Sequence, residues 1–217
     1  MNLEEVFSTN EHLYHRTDID DFGVCGEGSQ MDNSTKNLRE NLYEFLKKWN
    51  IESIFDAPCG DFWWMRHIDL KNIAYLGGEI QTNQINKLNK NFPQKKFIRF
   101  DITQDSFPIC DLWFSRDIFF HLSFEHKMMS FKNFVNSEIK YILMSNHVGF
   151  THEVAEKFNS KVNVDTISGG FSHANFFLEP FNFELPLDSI DDNYDGHNKK
   201  NMILYSRKQI EKFINNI

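Results

Sequence analysis

Apolar positions along this chain change period repeatedly, from helical spacing to short continuous runs and back. Behind Ser34-Thr35, the residues Leu38, Leu42, Phe45, Leu46 and Trp49 recur every three or four positions, which predicts a first helix running to about Lys48. An apolar run at 51–56 then reads as a strand. The tight turn Pro58-Cys59-Gly60-Asp61-Phe62 leads into a short helix holding Trp63, Trp64 and Met65. Further strands are predicted at 73–79, 96–101, 110–115 and 141–145. Between them lie a polar helix over 81–91, ended by Pro93, and a helix over 124–136. Strands alternating with helices, joined by right-handed crossovers, give a parallel sheet covered on both faces.

Beyond residue 150 the pattern weakens around Ser168-Gly169-Gly170, Pro180 and Pro186. One strand is expected near Ala174–Leu178 and a last one at Met202–Ser206, an antiparallel hairpin at one sheet edge. That makes seven strands. Residues 1–34 are polar and aperiodic, so they are expected to form a loop-rich N-terminal arm or lid ahead of a domain spanning 35–217.

The 217 residues suffice for one full core but not two of ordinary size. A formal net charge of −8 offers no electrostatic footprint for a long nucleic acid, so a small ligand is the expected partner. The 23 phenylalanines read as coding bias rather than chemistry. Cys25, Cys59 and Cys110 have neither disulfide nor zinc-ligand spacing, and the N-terminus has no signal-peptide pattern. A reducing, cytoplasmic location with no membrane contact follows as the expectation.

Three acids carry the first functional signal. Asp56, Glu79 and Asp101 each stand at or near the end of a strand-like run, in register, which is what an open α/β sheet offers a nucleoside. The turn after the first run keeps only Gly60 of a phosphate-binding glycine pattern, a loss that a ligand without a diphosphate tolerates.

Ile54-Phe55-Asp56-Ala57-Pro58-Cys59-Gly60-Asp61-Phe62, followed by Tyr75-Leu76-Gly77-Gly78-Glu79, Phe100-Asp101-Ile102 and Asp111–Asp117, resembles the class I S-adenosylmethionine-dependent methyltransferases. The Pro58–Phe62 motif, with Arg116-Asp117, His121-Leu122 and Gly26–Ser29 ahead of Thr35 and Arg39, is similar to a bacterial and phage subgroup acting on small molecules. The resemblance implies a Rossmann-like fold, with 35–217 as the methyltransferase domain and S-adenosylmethionine as the cofactor. It assigns the methionine pocket to Asp56, Ala57, Pro58, Cys59 and Gly60. Glu79 would bind both ribose hydroxyls, Asp101 would accept from the adenine amino group, and Ile80, Ile102 and Arg116 would complete the pocket. Gly78 departs from the family, where a β-branched residue is frequent.

On the acceptor side, Asp117 and His121 would share a face if a helical turn starts there, giving a carboxylate-oriented imidazole as general base. His147 is the third candidate. A metal held by His147, His152 and His173 is weighed and not adopted, since lone loop histidines are commonly surface residues. Trp63, Trp64 and Phe62 are read as core in preference to a sulfonium cage. Pro58-Cys59 follows the first strand, not the fourth as in cytosine methylation, and Ser115-Arg116-Asp117-Ile118 replaces the loop of adenine methylation, so nucleic acid is not expected as the acceptor. The expected reaction is methylation of a small polar acceptor, at a hydroxyl of a sugar, sugar nucleotide or surface-polysaccharide precursor. The alternative is a non-catalytic nucleoside-binding partner subunit.

Overall fold

Asp56, Glu79 and Asp101 meet at one edge of a single sheet in the computed structural model, which describes residues 2–9, 25–29, 31, 33–192 and 199–216. The strands are β1 (Ser53–Asp56), β2 (Ala74–Glu79), β3 (Lys96–Arg99), β4 (Leu112–Ser115), β5 (Tyr141–Asn146), β6 (Asp188–Asp191) and β7 (Asn201–Ser206). Their order is β3-β2-β1-β4-β5-β7-β6. The first five run parallel, while β7 is antiparallel to both β5 and β6. The helices are α1 (Leu3–Thr9), α2 (Asn33–Lys48), α3 (Thr82–Asn91), α4 (Phe124–Val135), α5 (His152–Lys157) and α6 (Arg207–Asn215).

Alternate side chains of the central strands enter different cores. Phe55, Trp113, Ile142 and Ile203 point to one, Ile54, Phe114, Leu143 and Leu204 to the other, as the two-residue period of a strand requires. Because both faces are covered, these strands are apolar almost throughout. Leu38, Leu42 and Leu46 put the buried stripe of α2 on the second core. The phenylalanines are not idle composition. Phe119, Phe131, Phe176 and Phe183 form a run of ring contacts at 4.8–5.9 Å on the first core's side.

The seven-stranded sheet with its antiparallel edge is as expected, but its outermost strand is β6, not residues 174–178. Ala174 and Phe176 are buried, which explains the strand-like pattern, yet their N–H groups donate to the His147 ring and the Asn146 side chain instead of to a ladder. Helices α5 and α6 were also not expected; α6 starts with a capping box between Ser206 and Gln209. In the arm, α1 and a 3-10 turn at Glu27–Ser29 replace the expected loop, and Tyr14, His15 and Arg16 lie outside the described residues.

Strand order reverses between β1 and β4. This switch point opens a crevice beyond the carboxyl ends of the parallel strands. The antiparallel β7 brings its amino end, and Lys200 just before it, to the same edge.

Candidate active site

One cavity of about 560 Å³ occupies this crevice. One end is lined by Asp56, Pro58, Cys59, Gly60, Glu79, Ile80, Asp101 and Ile102, the other by Arg116, Asp117, His121, His147 and Lys200. Ala57 is the expected pocket residue that does not line it. Its N–H donates to Phe114 and its carbonyl accepts from the Trp113 indole, so it anchors the turn from behind.

Glu79 ends β2 and is buried. Its Oε1 accepts from the N–H groups of Ile80 (2.7 Å) and Gln81 (3.2 Å), and its Oε2 from Gly60 N–H (3.1 Å). Burial raises its pKa, against the pull of those three donors. Of roughly four lone-pair positions, about one remains for a further donor. Gly60 is required here twice over: its φ is +55°, and a Cβ would come within 2.3 Å of Cys25 Sγ. Gly78 has a local cause as well, since a Cβ there would meet the Phe55 ring at 2.5 Å. That ring fills the space a β-branched residue would take.

Asp101 is held by its own loop. Oδ1 accepts from Thr103 N–H (2.9 Å) and Oγ1 (2.6 Å), and Oδ2 from the Gln104 amide (2.8 Å). Asp56 is buried and accepts from the Tyr75 hydroxyl (2.8 Å). Burial pushes its carboxyl up to about 8, despite Tyr75 and Arg116, so at neutral pH it is mostly protonated. Leu3 and Phe7 of α1 also line the cavity, and Glu4 fixes that helix by accepting from Thr82 N–H and Oγ1.

Asp117 and His121 do not form the expected couple. Asp117 sits at φ +59°, outside any helix, and the following 3-10 turn begins only at Phe119, so the shared helical face does not exist. Its carboxylate instead accepts from Lys200 Nζ (2.6 and 2.8 Å) and Ser145 Oγ (2.9 Å) and pairs with Arg116 (3.1 Å). Burial alone would raise its pKa, but Arg116 and Lys200 hold it well below the carboxylate range. Asp192, fully buried, joins both cations. Arg116 also donates to the carbonyls of Gly28 and Ser34, which pins the 25–29 segment across the cavity.

His121 Nδ1 meets the Gly170 carbonyl at 2.7 Å. A carbonyl only accepts, so Nδ1 carries the proton and Nε2 the lone pair. His147 has the opposite tautomer, because its Nδ1 accepts from Ala174 N–H (3.3 Å) and its proton is therefore on Nε2. Burial lowers the pKa of both rings, that of His147 to about 3 with Lys200 adding to the effect. Both imidazoles are neutral at pH 7.

His173 lies 5.1 Å from His147 between ring centroids, whereas His152 is exposed on α5. Among the described residues no group of three or more His, Cys, Asp or Glu is placed to hold a metal ion, and no helix is long and apolar enough to cross a membrane. Phe62 is core, packed on Tyr75, Phe92 and Phe97. Trp64 lines the cavity with the Arg116 guanidinium 5.1 Å from its ring. Sequence reasoning missed Lys200 and Ser145, which reach Asp117 only through the sheet, and Asp192, which pairs with Arg116 and Lys200; none of the three lies in a local motif.

At the sequence level no family model and no curated protein matches the chain. Solved structures do match it. N-methyltransferase NodS from Bradyrhizobium japonicum WM9, in complex with S-adenosyl-l-homocysteine, superposes with a TM-score of 0.63 at 9% identity, over 95% of this chain and 98% of that one. Magnesium protoporphyrin IX methyltransferase from Synechocystis PCC 6803, with the same ligand bound, gives 0.60 at 9% identity, over 95% and 100%. Here the fold is that of a methyltransferase. Human N-acetylserotonin methyltransferase, in complex with S-adenosylmethionine, gives 0.55 at 12% identity over 79% of this chain and 52% of that one.

Proposed function

We propose that this protein transfers a methyl group from S-adenosylmethionine to a hydroxyl of a small polar acceptor. The observation that carries this reading is the single cavity joining the Glu79–Asp101 end to the His121–His147 end. The residues fit the donor: Glu79 and Asp101 are buried acceptors with lone pairs left for a ribose hydroxyl and an adenine amino group, and Ile80 and Ile102 supply apolar walls. Asp56, buried in the wall of the same cavity, would pair with the methionine ammonium group. When bound, the donor supplies a methyl group on a cationic sulfur, and an oxygen that takes that methyl must lose its proton.

His121 receives that proton at Nε2. The Gly170 carbonyl fixes the tautomer that makes this nitrogen basic, which is the role first expected of Asp117. His147 donates from Nε2–H and orients the acceptor oxygen. Asp117, fixed by Lys200 and Arg116, shapes the site without taking up a proton near neutral pH. On the analogy of the small-molecule subgroup, the acceptor is a precursor of surface polysaccharide and the protein works in the cytoplasm, on its own acceptor rather than on nucleic acid.

Calorimetry with S-adenosylhomocysteine and with NAD tests the donor half; binding of NAD in preference would refute it. A non-catalytic binding subunit would bind the donor product and need neither histidine, so turnover that depends on His121 separates the two readings.

A further inference from the structure

The acceptor end of the cavity has an unusual make-up. Its wall comes from the long connection between β5 and β6, which is stitched to residues 120–121: Gly169 N–H donates to the His121 carbonyl (2.8 Å), Ser172 N–H to the Phe120 carbonyl (2.9 Å), and His121 Nδ1–H to Gly170. This places Phe171 over the site. Its ring centroid lies 5.5 Å from Phe120, 5.8 Å from His121 and 6.2 Å from His147. Phe120 is buried, whereas Phe171 is 54% exposed although it lines the cavity.

Charge is cancelled within the same end. Arg116 and Lys200 are buried cations, and each pairs with both Asp117 and Asp192, so the four groups sum to zero. An entering phosphate or carboxylate would have to draw Lys200 or Arg116 from these pairs and leave a buried aspartate uncompensated. An entering ammonium group would do the same to the cations. Neutral imidazoles complete the lining. What this end accommodates without penalty is an uncharged molecule with hydrogen-bonding hydroxyls and a flat face for the phenylalanines.

We propose that the acceptor is an uncharged, hydroxyl-bearing ring that lies against Phe171 and Phe120, with the reacting hydroxyl turned toward His121 and His147. This deepens the methyl-transfer reading and rests on it. It also removes phosphate-bearing acceptors, sugar nucleotides included, from the end where the chemistry occurs. Two kinds of compound share this chemistry. A sugar ring presents its C–H face to an aromatic side chain, and a phenol stacks or meets it edge to face.

The test titrates the wild-type protein by calorimetry, with and without saturating S-adenosylhomocysteine, using methyl glucoside, phenol, glucose 1-phosphate and 4-hydroxyphenyl phosphate as probes. At least one neutral ring is expected to bind, with its phosphorylated counterpart weaker by about tenfold or more. Methyl glucoside or phenol as the binder identifies the class. Phe171→Ala is expected to weaken that binding by about tenfold while S-adenosylhomocysteine affinity stays within about twofold. Phe171 is half exposed, so the variant should fold, and an unchanged melting curve checks this. Tighter binding of the phosphates, no binding of either neutral ring, or full ring affinity in Phe171→Ala overturns the inference. Failure of S-adenosylhomocysteine to bind falls on the donor reading instead, and the titrations without it still decide for or against the ring site.

Discussion

Donor binding should release a proton from Asp56. In the free protein, burial holds this carboxyl at about 8, so at pH 7 the group is about 0.9 protonated. The methionine ammonium of S-adenosylhomocysteine, placed a few ångströms away, favours the carboxylate by about 4 kcal/mol at an effective dielectric constant near 20. At 1.36 kcal/mol per unit this lowers the pKa by about three units, to about 5. Binding at pH 7 therefore expels about 0.9 proton, and the yield falls to about 0.1 at pH 9.

Calorimetric enthalpies of S-adenosylhomocysteine binding, measured at pH 7 in buffers of different ionisation enthalpy, give the proton count as a slope. The sign is fixed: below pH 8 affinity rises with pH, by up to about tenfold per unit, because the carboxyl must lose its proton to pair with the cation. Asp56→Asn should abolish the slope. A zero slope in wild type, or an equal slope in Asp56→Asn, would refute the placement of the ammonium group at Asp56.

Three further outcomes are expected. Glu79→Ala should lose a charge-assisted hydrogen bond worth about 1.5–3 kcal/mol, or more than tenfold in S-adenosylhomocysteine affinity, and unchanged calorimetric affinity would take Glu79 out of the ribose site. His121→Ala should lower turnover about a hundredfold with donor affinity intact; because burial depresses this pKa, wild-type turnover should fall only on the acid side, with a midpoint below the ordinary imidazole value of about 6.5, and a midpoint above that value would argue against the base assignment. His147 is held neutral down to about pH 3 in the fold but gains a proton near 6.5 when unfolded, so stability is lost as pH drops through that window. Between pH 6.5 and 4 the loss is about 3 kcal/mol, and urea unfolding of His147→Asn should lack this component.

The end of the cavity proposed for the donor was legible because it is local in sequence. Each of Asp56, Glu79 and Asp101 closes or directly follows a short strand-like run, fully buried at the end of β1 and β2 and only partly buried in the edge strand β3, so strand end and carboxylate are read together. Gly60 could be singled out for the same reason, although its need for room beside Cys25 comes from the N-terminal arm. The strand misplaced at 174–178 shows the limit of such reading. Burial of Ala174 and Phe176 is real, but the groups that satisfy their backbone are side chains at 146 and 147, and no periodicity encodes a side-chain partner.

The end proposed for the acceptor depends on contacts across long stretches of chain, and there spacing misled. A four-residue interval made Asp117 and His121 look like neighbours on a helix. The backbone turns left-handed at Asp117, and residues 28 and 83 positions further along, Ser145 and Lys200, take its carboxylate. The imidazole is oriented from 49 positions away, by a carbonyl that sequence cannot distinguish from any other. Asp117 can tolerate that conformation because the surrounding ion pairs hold its side chain in one place, and those pairs in turn leave the site without net charge. The proposed preference for a neutral acceptor rests on these same pairs, so Asp192→Asn, which leaves the four groups with one uncompensated positive charge, should narrow the calorimetric affinity gap between methyl glucoside and glucose 1-phosphate, and an unchanged gap would argue against it.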